Sequence, residues 1–282
     1  MAEAHLDQAR ITEMVEKMPA FPRSVQEVLS LADDINCNPR ELVRVVEHDP
    51  VLTGRMLKVV NSAYFGLSRR ISSVKEALAF IGLNTLKNVA LTLAAVGALP
   101  KENRAGLGMD DFLSHSLAVG GVARWVATRS GLGIREADRA FLVGLLHDFG
   151  QVVLALELPD AFREMAEESR KTGKSLHELE YDRLGTTHFE LGAQVAEKWQ
   201  LDEGIVSTIR HYRLGLSDEE RTPLMDALWS GVALVARSQG KAFPGAEPGS
   251  LQDNLGCEMA SMLEEVEAIE QAIERTQIFK DL

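Results

Sequence analysis

Ala140-Phe141-Leu142-Val143-Gly144-Leu145-Leu146-His147-Asp148-Phe149-Gly150 sets a histidine and an aspartate side by side at the end of an apolar run. Side chains of that kind leave water on folding, so the end of the run lies at the edge of a core. If a helix tightens there, both polar side chains can reach one point. Three further histidines stand on comparable ground. His115 shares a helical face with Val119, Val122 and Val126, and His188 shares one with Leu191, Val195 and Trp199. His211 ends the stretch Ile205 to His211 and precedes Tyr212. The apolar face of Ile205, Ile209 and Tyr212 points away from His211, so helical phase makes Tyr212 the inward residue there.

Imidazole nitrogen and carboxylate oxygen are ligands for iron, manganese or zinc. A helical bundle can gather such ligands from several helices. The candidate metal ligands are therefore His115, His147, Asp148, His188 and His211. Taken singly, each histidine reads more simply as a hydrogen-bonded core residue, and an adjacent His-Asp pair also arises by chance. His5, His48 and His177 read as structural or solvated.

Outward from this stretch the pattern is helical. Ala, Leu, Glu, Lys and Arg are frequent and period-two alternation is scarce. Proline starts helices and breaks helix interiors, so Pro19, Pro22, Pro39, Pro50, Pro100, Pro159 and Pro223 mark boundaries. Asn38-Pro39-Arg40-Glu41 has the form of a capped helix start, Asp49-Pro50 begins another, and Ser73 and Asn84 are candidate caps for the two that follow. Asn103, Gly106 and Gly108 make 100–110 the candidate hinge between an N-terminal helical lobe, 11–100, and a larger lobe, 108–240. Two prolines and two glycines make 241–250 a loop before a final acidic helix that runs from Leu251 to about Thr276, within a C-terminal segment 251–282.

Composition narrows the function classes. Of 282 residues, 45% are hydrophobic and 26% charged, which fits a folded globular chain rather than a disordered one. The apolar stretch Val89 to Leu99 is too short to span a bilayer, so no membrane partner is expected. Met-Ala-Glu-Ala-His at the start has no basic region leading into an apolar core, and no secretory signal is expected. Cys37 and Cys257 have no metal-type spacing, which suits a reduced, cytoplasmic setting. The net charge of −12 opposes binding to nucleic acid, and Arg69-Arg70 is too small a basic cluster to reverse that.

Several motifs resemble the HDOD family, the HD-related output domain of bacterial signalling proteins. The histidine order, with His147-Asp148, then His188-Phe189-Glu190-Leu191-Gly192, then His211-Tyr212, is similar to the HD superfamily. Met18-Pro19-Ala20-Phe21-Pro22, His48-Asp49-Pro50-Val51-Leu52-Thr53, Asn61-Ser62-Ala63-Tyr64-Phe65-Gly66 and the stretch Ser72 to Leu86 resemble HDOD segments that catalytic HD enzymes lack. Each also has a plain structural reading: Pro50 pre-sets a helix start, Asn61 can bond nearby backbone and Gly66 can end a helix. The resemblance implies an all-α, two-lobed helical bundle with an HD-like C-terminal lobe. It also implies a regulatory role in bacterial signal transduction through contacts with signalling proteins, either as a stand-alone adaptor or as part of a longer protein, with self-association as a further option.

The same resemblance exposes departures from an enzyme. Gln151 stands where catalytic HD proteins carry a lysine, Ala236 stands at the late Asp ligand, and Tyr212 replaces the second histidine of the HD-GYP phosphodiesterases, whose Gly-Tyr-Pro loop has no counterpart here. Glutamine supplies no cation for a phosphate and alanine binds no metal. The expectation is a non-catalytic chain with no cofactor or a weakly held divalent metal (iron, manganese or zinc). The retained ligands keep a metal-dependent phosphohydrolase of a nucleotide or cyclic dinucleotide as the alternative.

Overall fold

Fourteen helices and no strand make up the described residues of the computed structural model, which are 5–33, 38–61, 69–100, 102–213, 220–241, 252 and 255–276. In chain order they are α1 (Gln8–Glu16), α2 (Arg23–Asp33), α3 (Pro39–Glu47), α4 (Pro50–Val60), α5 (Val74–Gly97), α6 (Met109–Arg129), α7 (Ile134–Leu146), α8 (Phe149–Glu157), α9 (Pro159–Thr172), α10 (Leu176–Leu184), α11 (His188–Lys198), α12 (Glu203–His211), α13 (Pro223–Ser238) and α14 (Met259–Thr276). The chain is all-α.

The local signals act where the residues place them. The side chains of Asn38, Asp49 and Ser73 accept hydrogen bonds from the first-turn amides of α3, α4 and α5, which have no intrahelical partner. Asp49 also accepts from Ser24 Oγ at 2.7 Å, tying α4 to α2. Asn61 donates to Leu57 O and Ile71 O and accepts from Ile71 N, so one side chain ties the end of α4 to Ile71. Residues 62–66 of the Asn-Ser-Ala-Tyr-Phe-Gly motif, and Cys37, lie outside the described residues.

The break expected between the helix that Ser73 caps and the one after it falls at Gly82, whose φ of 76° is open only to glycine at low cost; the halves of α5, Val74–Leu83 and Thr85–Gly97, meet at 106° there. The side chain of Asn84 lies outside the described residues. One expected boundary differs. Near the C-terminus a separate turn ends at Gly256, with φ 60°, so the long final helix begins at Met259 rather than Leu251. Most of the expected loop 241–250 lies outside the described residues. In the connection read as a hinge, Asn103 bonds the backbone of Leu107 in both directions.

α2, α3 and α4 pack around α5, and α5 packs on α7. α6, α7 and α13 form the centre of the second group, with α14 against α6 and α13; α8, α11 and α12 pack beside them. The two groups share one hydrophobic cluster. Polar ties cross between them. Asp138 on α7, buried, pairs with Arg124 of α6 at 3.0 Å and accepts from Thr85 Oγ1 of α5 at 2.5 Å. The 18–22 segment clasps the end of α11: Phe21 stacks on Trp199 at 4.4 Å, Trp199 Nε1 donates to Pro19 O at 3.0 Å, and Lys198 Nζ donates to the carbonyls of Val15, Glu16 and Met18. The stretch Ile134–Glu157 is apolar and long enough to cross a membrane, yet 72% of its most apolar window is buried inside the fold.

α6 and α7 approach backbone to backbone. A Cβ on Gly144 would lie 2.5 Å from Gly120 Cα and 2.7 Å from Gly120 N. Backbone on a helix cannot yield as a side-chain tip can, so Gly144→Ala is expected to lower stability by about 3 kcal/mol or more. Gly54→Ala, on α4 with open space around it, should leave stability unchanged or raise it by about 0.5–1 kcal/mol. Urea denaturation of both variants checks the contrast.

Candidate metal centre

Four helices deliver the candidate ligands. His115 comes from the second turn of α6, His147 and Asp148 form the junction of α7 and α8, and His188 opens α11. The junction is tight: His147 keeps helical dihedrals while Asp148 sits at φ −102° and ψ 8°, so two neighbouring side chains turn to one side. Gly150 then lets α8 meet α11. A Cβ there would lie 1.9 Å from His188 O, so this contact, which brings His188 beside Asp148, needs a glycine.

His147 Nδ1 lies 2.7 Å from Gly144 O. A carbonyl only accepts, so Nδ1 carries a proton, and in the neutral ring Nε2 holds the lone pair that a metal would take. That Nε2 lies 3.3 Å from Asp148 Oδ2, and His115 Nε2 lies 3.9 Å from the same oxygen. His115, His147 and Asp148 each offer one ligand atom within 4.8 Å of the others. Adjacent ligands of one ion at about 2.1 Å are about 3.0–3.4 Å apart, so these three fit a single divalent ion with little adjustment. The group is closed at His147, which is 1% exposed, and open at His115, which is 30% exposed.

Electrostatics prepares the group. Burial, with help from the neighbouring His147 and Lys241, pushes His115 down to about 4 against the pull of Asp148, so it is a neutral ligand near pH 7. Burial raises the Asp148 carboxyl, but His147 and His188 outweigh it and hold the group well below the ordinary carboxylate range. Burial lowers His188, yet Glu180 and Asp148 carry it up to about 10. Burial, then Asp148, lifts the Tyr212 phenol well above its usual value.

His188 converges with the group as well, meeting it through the other side of Asp148. Its Nε2 lies 3.4 Å from the other oxygen of the carboxylate, Asp148 Oδ1, and its Nδ1 lies 2.6 Å from Glu180 Oε2. His211 is not brought in: it is half-buried, with Nδ1 3.2 Å from Ser207 Oγ. Tyr212 takes the inward place, its ring 5.9 Å from that of His147 and 5.2 Å from that of Phe189. Ala236 lies on α13 and has no ligand to offer. His5, His48 and His177 lie outside the group.

Two buried carboxylates went unread in the sequence, Asp138 and Glu180. Glu180 is fully buried on α10. Leu176, Glu180 and Leu184 recur every four residues, and an acid on such an apolar stripe is the signal that could have found it.

The family profile of the HDOD domain matches residues 18–213. An uncharacterized protein of Treponema pallidum (strain Nichols) is 27% identical over 223 residues, which cover 78% of this chain and 42% of that protein; the chain thus spans under half of that relative's length. Among solved structures, a proposed phosphohydrolase of Shewanella amazonensis SB2B superposes with a TM-score of 0.78 at 22% identity, covering 95% of this chain and 97% of its own. An HDOD domain protein of unknown function from Geobacter sulfurreducens gives 0.73 at 23%, covering 95% and 98%. A proposed signal transduction protein of Marinobacter aquaeolei VT8 gives 0.75 at 23%, covering 98% and 63%. These superpositions show a shared fold.

The raised His188 makes a pH prediction. A base whose folded value exceeds its unfolded one stabilises the fold fully below the unfolded value, near 6.5, and stops doing so as pH rises through about 10. The melting temperature should therefore fall between pH 6.5 and 10. In His188→Gln this part of the slope should disappear, as scanning calorimetry of the two chains across that range would read.

Proposed function

The chain belongs to the HDOD family, and on that footing we propose that it is a non-catalytic regulator of signal transduction that acts through contacts with other proteins. The observation that carries this reading is the composition of the candidate centre. Three ligands, His115, His147 and Asp148, face one another, while Tyr212 fills the inward place beside His147 and the late ligand position is Ala236. A hydrolytic centre needs a firmly held metal, an activated water and charge set against the leaving phosphate. Gln151, which follows the His-Asp pair, is neutral and cannot supply that last element.

A divalent ion held by the three ligands would polarise a bound water or a phosphoryl oxygen. In this chain His115 and His147 would present neutral imidazoles and Asp148 one carboxylate oxygen. Three ligands without the fourth favour weak holding of iron, manganese or zinc. The signalling partners, a cytoplasmic setting and the separation into lobes 11–100 and 108–240 belong to the same proposal. One observation supports the alternative of a metal-dependent phosphohydrolase: the retained three-residue group is open to solvent at His115.

Turnover decides between the two. With manganese, iron or zinc added, the purified chain is expected to hydrolyse neither cyclic dinucleotides, nucleotides nor a generic phosphodiester. Activity that vanishes in His147→Ala while the melting temperature holds would favour the hydrolase.

A further inference from the structure

We propose that the groove between α4 and the end of α5 docks an acidic, apolar segment of a partner protein. Two N-terminal motifs meet there. Pro19, Ala20 and Pro22 form one rim, and Asp49, Val51 and Leu52 begin the other. The floor is α5, where Ala94, Gly97 and Ala98 recur at helical spacing and leave the space open. The groove encloses about 190 Å³. Val51 stands on its rim with 62% of its surface exposed, an apolar side chain that folding leaves in water. The rims are built before any partner arrives. Proline fixes its own φ, Trp199 Nε1 donates to Pro19 O at 3.0 Å, and the ring of Phe21 stacks on that of Trp199. Opposite them, Asp49 is held by Ser24 Oγ and by the amides of Val51 and Leu52. A preformed site loses little conformational freedom on binding.

Charge selects the partner. The Asp49 carboxylate faces the amides that start α4, so its charge is matched within the fold. Arg55 lies in the groove wall one turn beyond Val51, and helical spacing carries the same face of α4 on to the exposed Lys58. Around them the sequence changes sign. Residues 38–100 carry eight basic and four acidic residues, a net of +4, whereas the whole chain stands at −12. Two of those four acids are already engaged: Asp49 as above, and Glu76 by the amide and hydroxyl of Ser72. An acidic segment is therefore drawn to this lobe and repelled by the remainder of the chain, which steers it to one face and disfavours other orientations. Its apolar side chains enter the groove beside Val51 while its carboxylates meet Arg55 and Lys58. A groove of this size supports a transient contact rather than a permanent one.

The inference names a partner class for the contact-making regulator proposed above and rests on that reading; turnover tests the reading, and a peptide titration tests the groove. Fluorescein-labelled peptides repeating Glu-Glu-Leu-Leu or Lys-Lys-Leu-Leu are titrated with the full chain and followed by fluorescence anisotropy. The acidic peptide is expected to bind in the micromolar range and more weakly as salt rises, and the basic peptide is expected not to bind. Val51→Glu should weaken the acidic peptide about 10-fold or more, because it sets like charges against each other. Gly97→Leu should do the same by filling the groove; a Cβ there meets only Arg55 Nη1, at 3.7 Å, so the helix accepts it. Both variants should melt close to the wild type, since Val51 is exposed and Gly97 has room. Equal binding of the two peptides, no binding of the acidic one at millimolar concentration, or undiminished binding in either variant would overturn the inference. So would a wild-type dimer in sedimentation velocity that Val51→Glu abolishes, which would give this face to a second copy. A chain without turnover that ignores the acidic peptide would keep the regulator reading and lose the groove, whereas hydrolysis that depends on His147 would overturn the reading itself.

Discussion

Two backbone contacts that admit no side chain place every polar group of the centre. Gly144 lies against Gly120 where α7 crosses α6, and Gly150 lies against the His188 carbonyl where α8 crosses α11. The first sets the depth of α7 and so the distance between His115 and His147, whose rings are 5.6 Å apart. The second sets His188 beside Asp148. Packed interiors are dense and resist displacement, so helices held this closely cannot slide to improve or spoil the ligand geometry independently. The centre is a consequence of helix packing first and of ligand choice second.

Charge then distributes roles among residues that the sequence presents as equals. Asp148 has two oxygens and two kinds of neighbour. Toward the open side stand His147, whose Nδ1 donates to Gly144 O and whose Nε2 faces Asp148, and His115, which burial keeps neutral. Toward the closed side stands His188, held between Asp148 and the buried Glu180. An ion on the open side would meet two neutral imidazoles and one carboxylate oxygen. Tyr212, packed against the rings of His147 and Phe189, occupies ground that a further ligand would need. A partial ligand set around a well-defined site suits a protein that keeps the scaffold for contacts with others.

What could be read ahead of the coordinates was local. Asn38, Asp49 and Ser73 cap helices because a cap involves a side chain and amides two or three residues away. Helical phase alone was enough to turn Tyr212 inward and His211 outward. The common placement of His115, His147 and Asp148 followed from apolar faces together with the HDOD resemblance. Glu180 and Asp138 escaped, since an acid on a helix reads as solvated until its partner is known, and the partners are distant: Thr85 lies 53 residues before Asp138. The buried partner of His188 escaped for the same reason: Glu180 lies eight residues away and only the fold brings it to the His188 ring. The break in α5 was legible as a new helix start near Asn84, but its 106° angle depends on the conformation of Gly82.

Anomalous diffraction from crystals soaked in Mn2+ tests the central claim, that this is a one-ion remnant of a hydrolytic centre. The account predicts a single, partly occupied peak among His115, His147 and Asp148, with His188 still bonded to Glu180. Two fully occupied peaks on either side of Asp148 would contradict it.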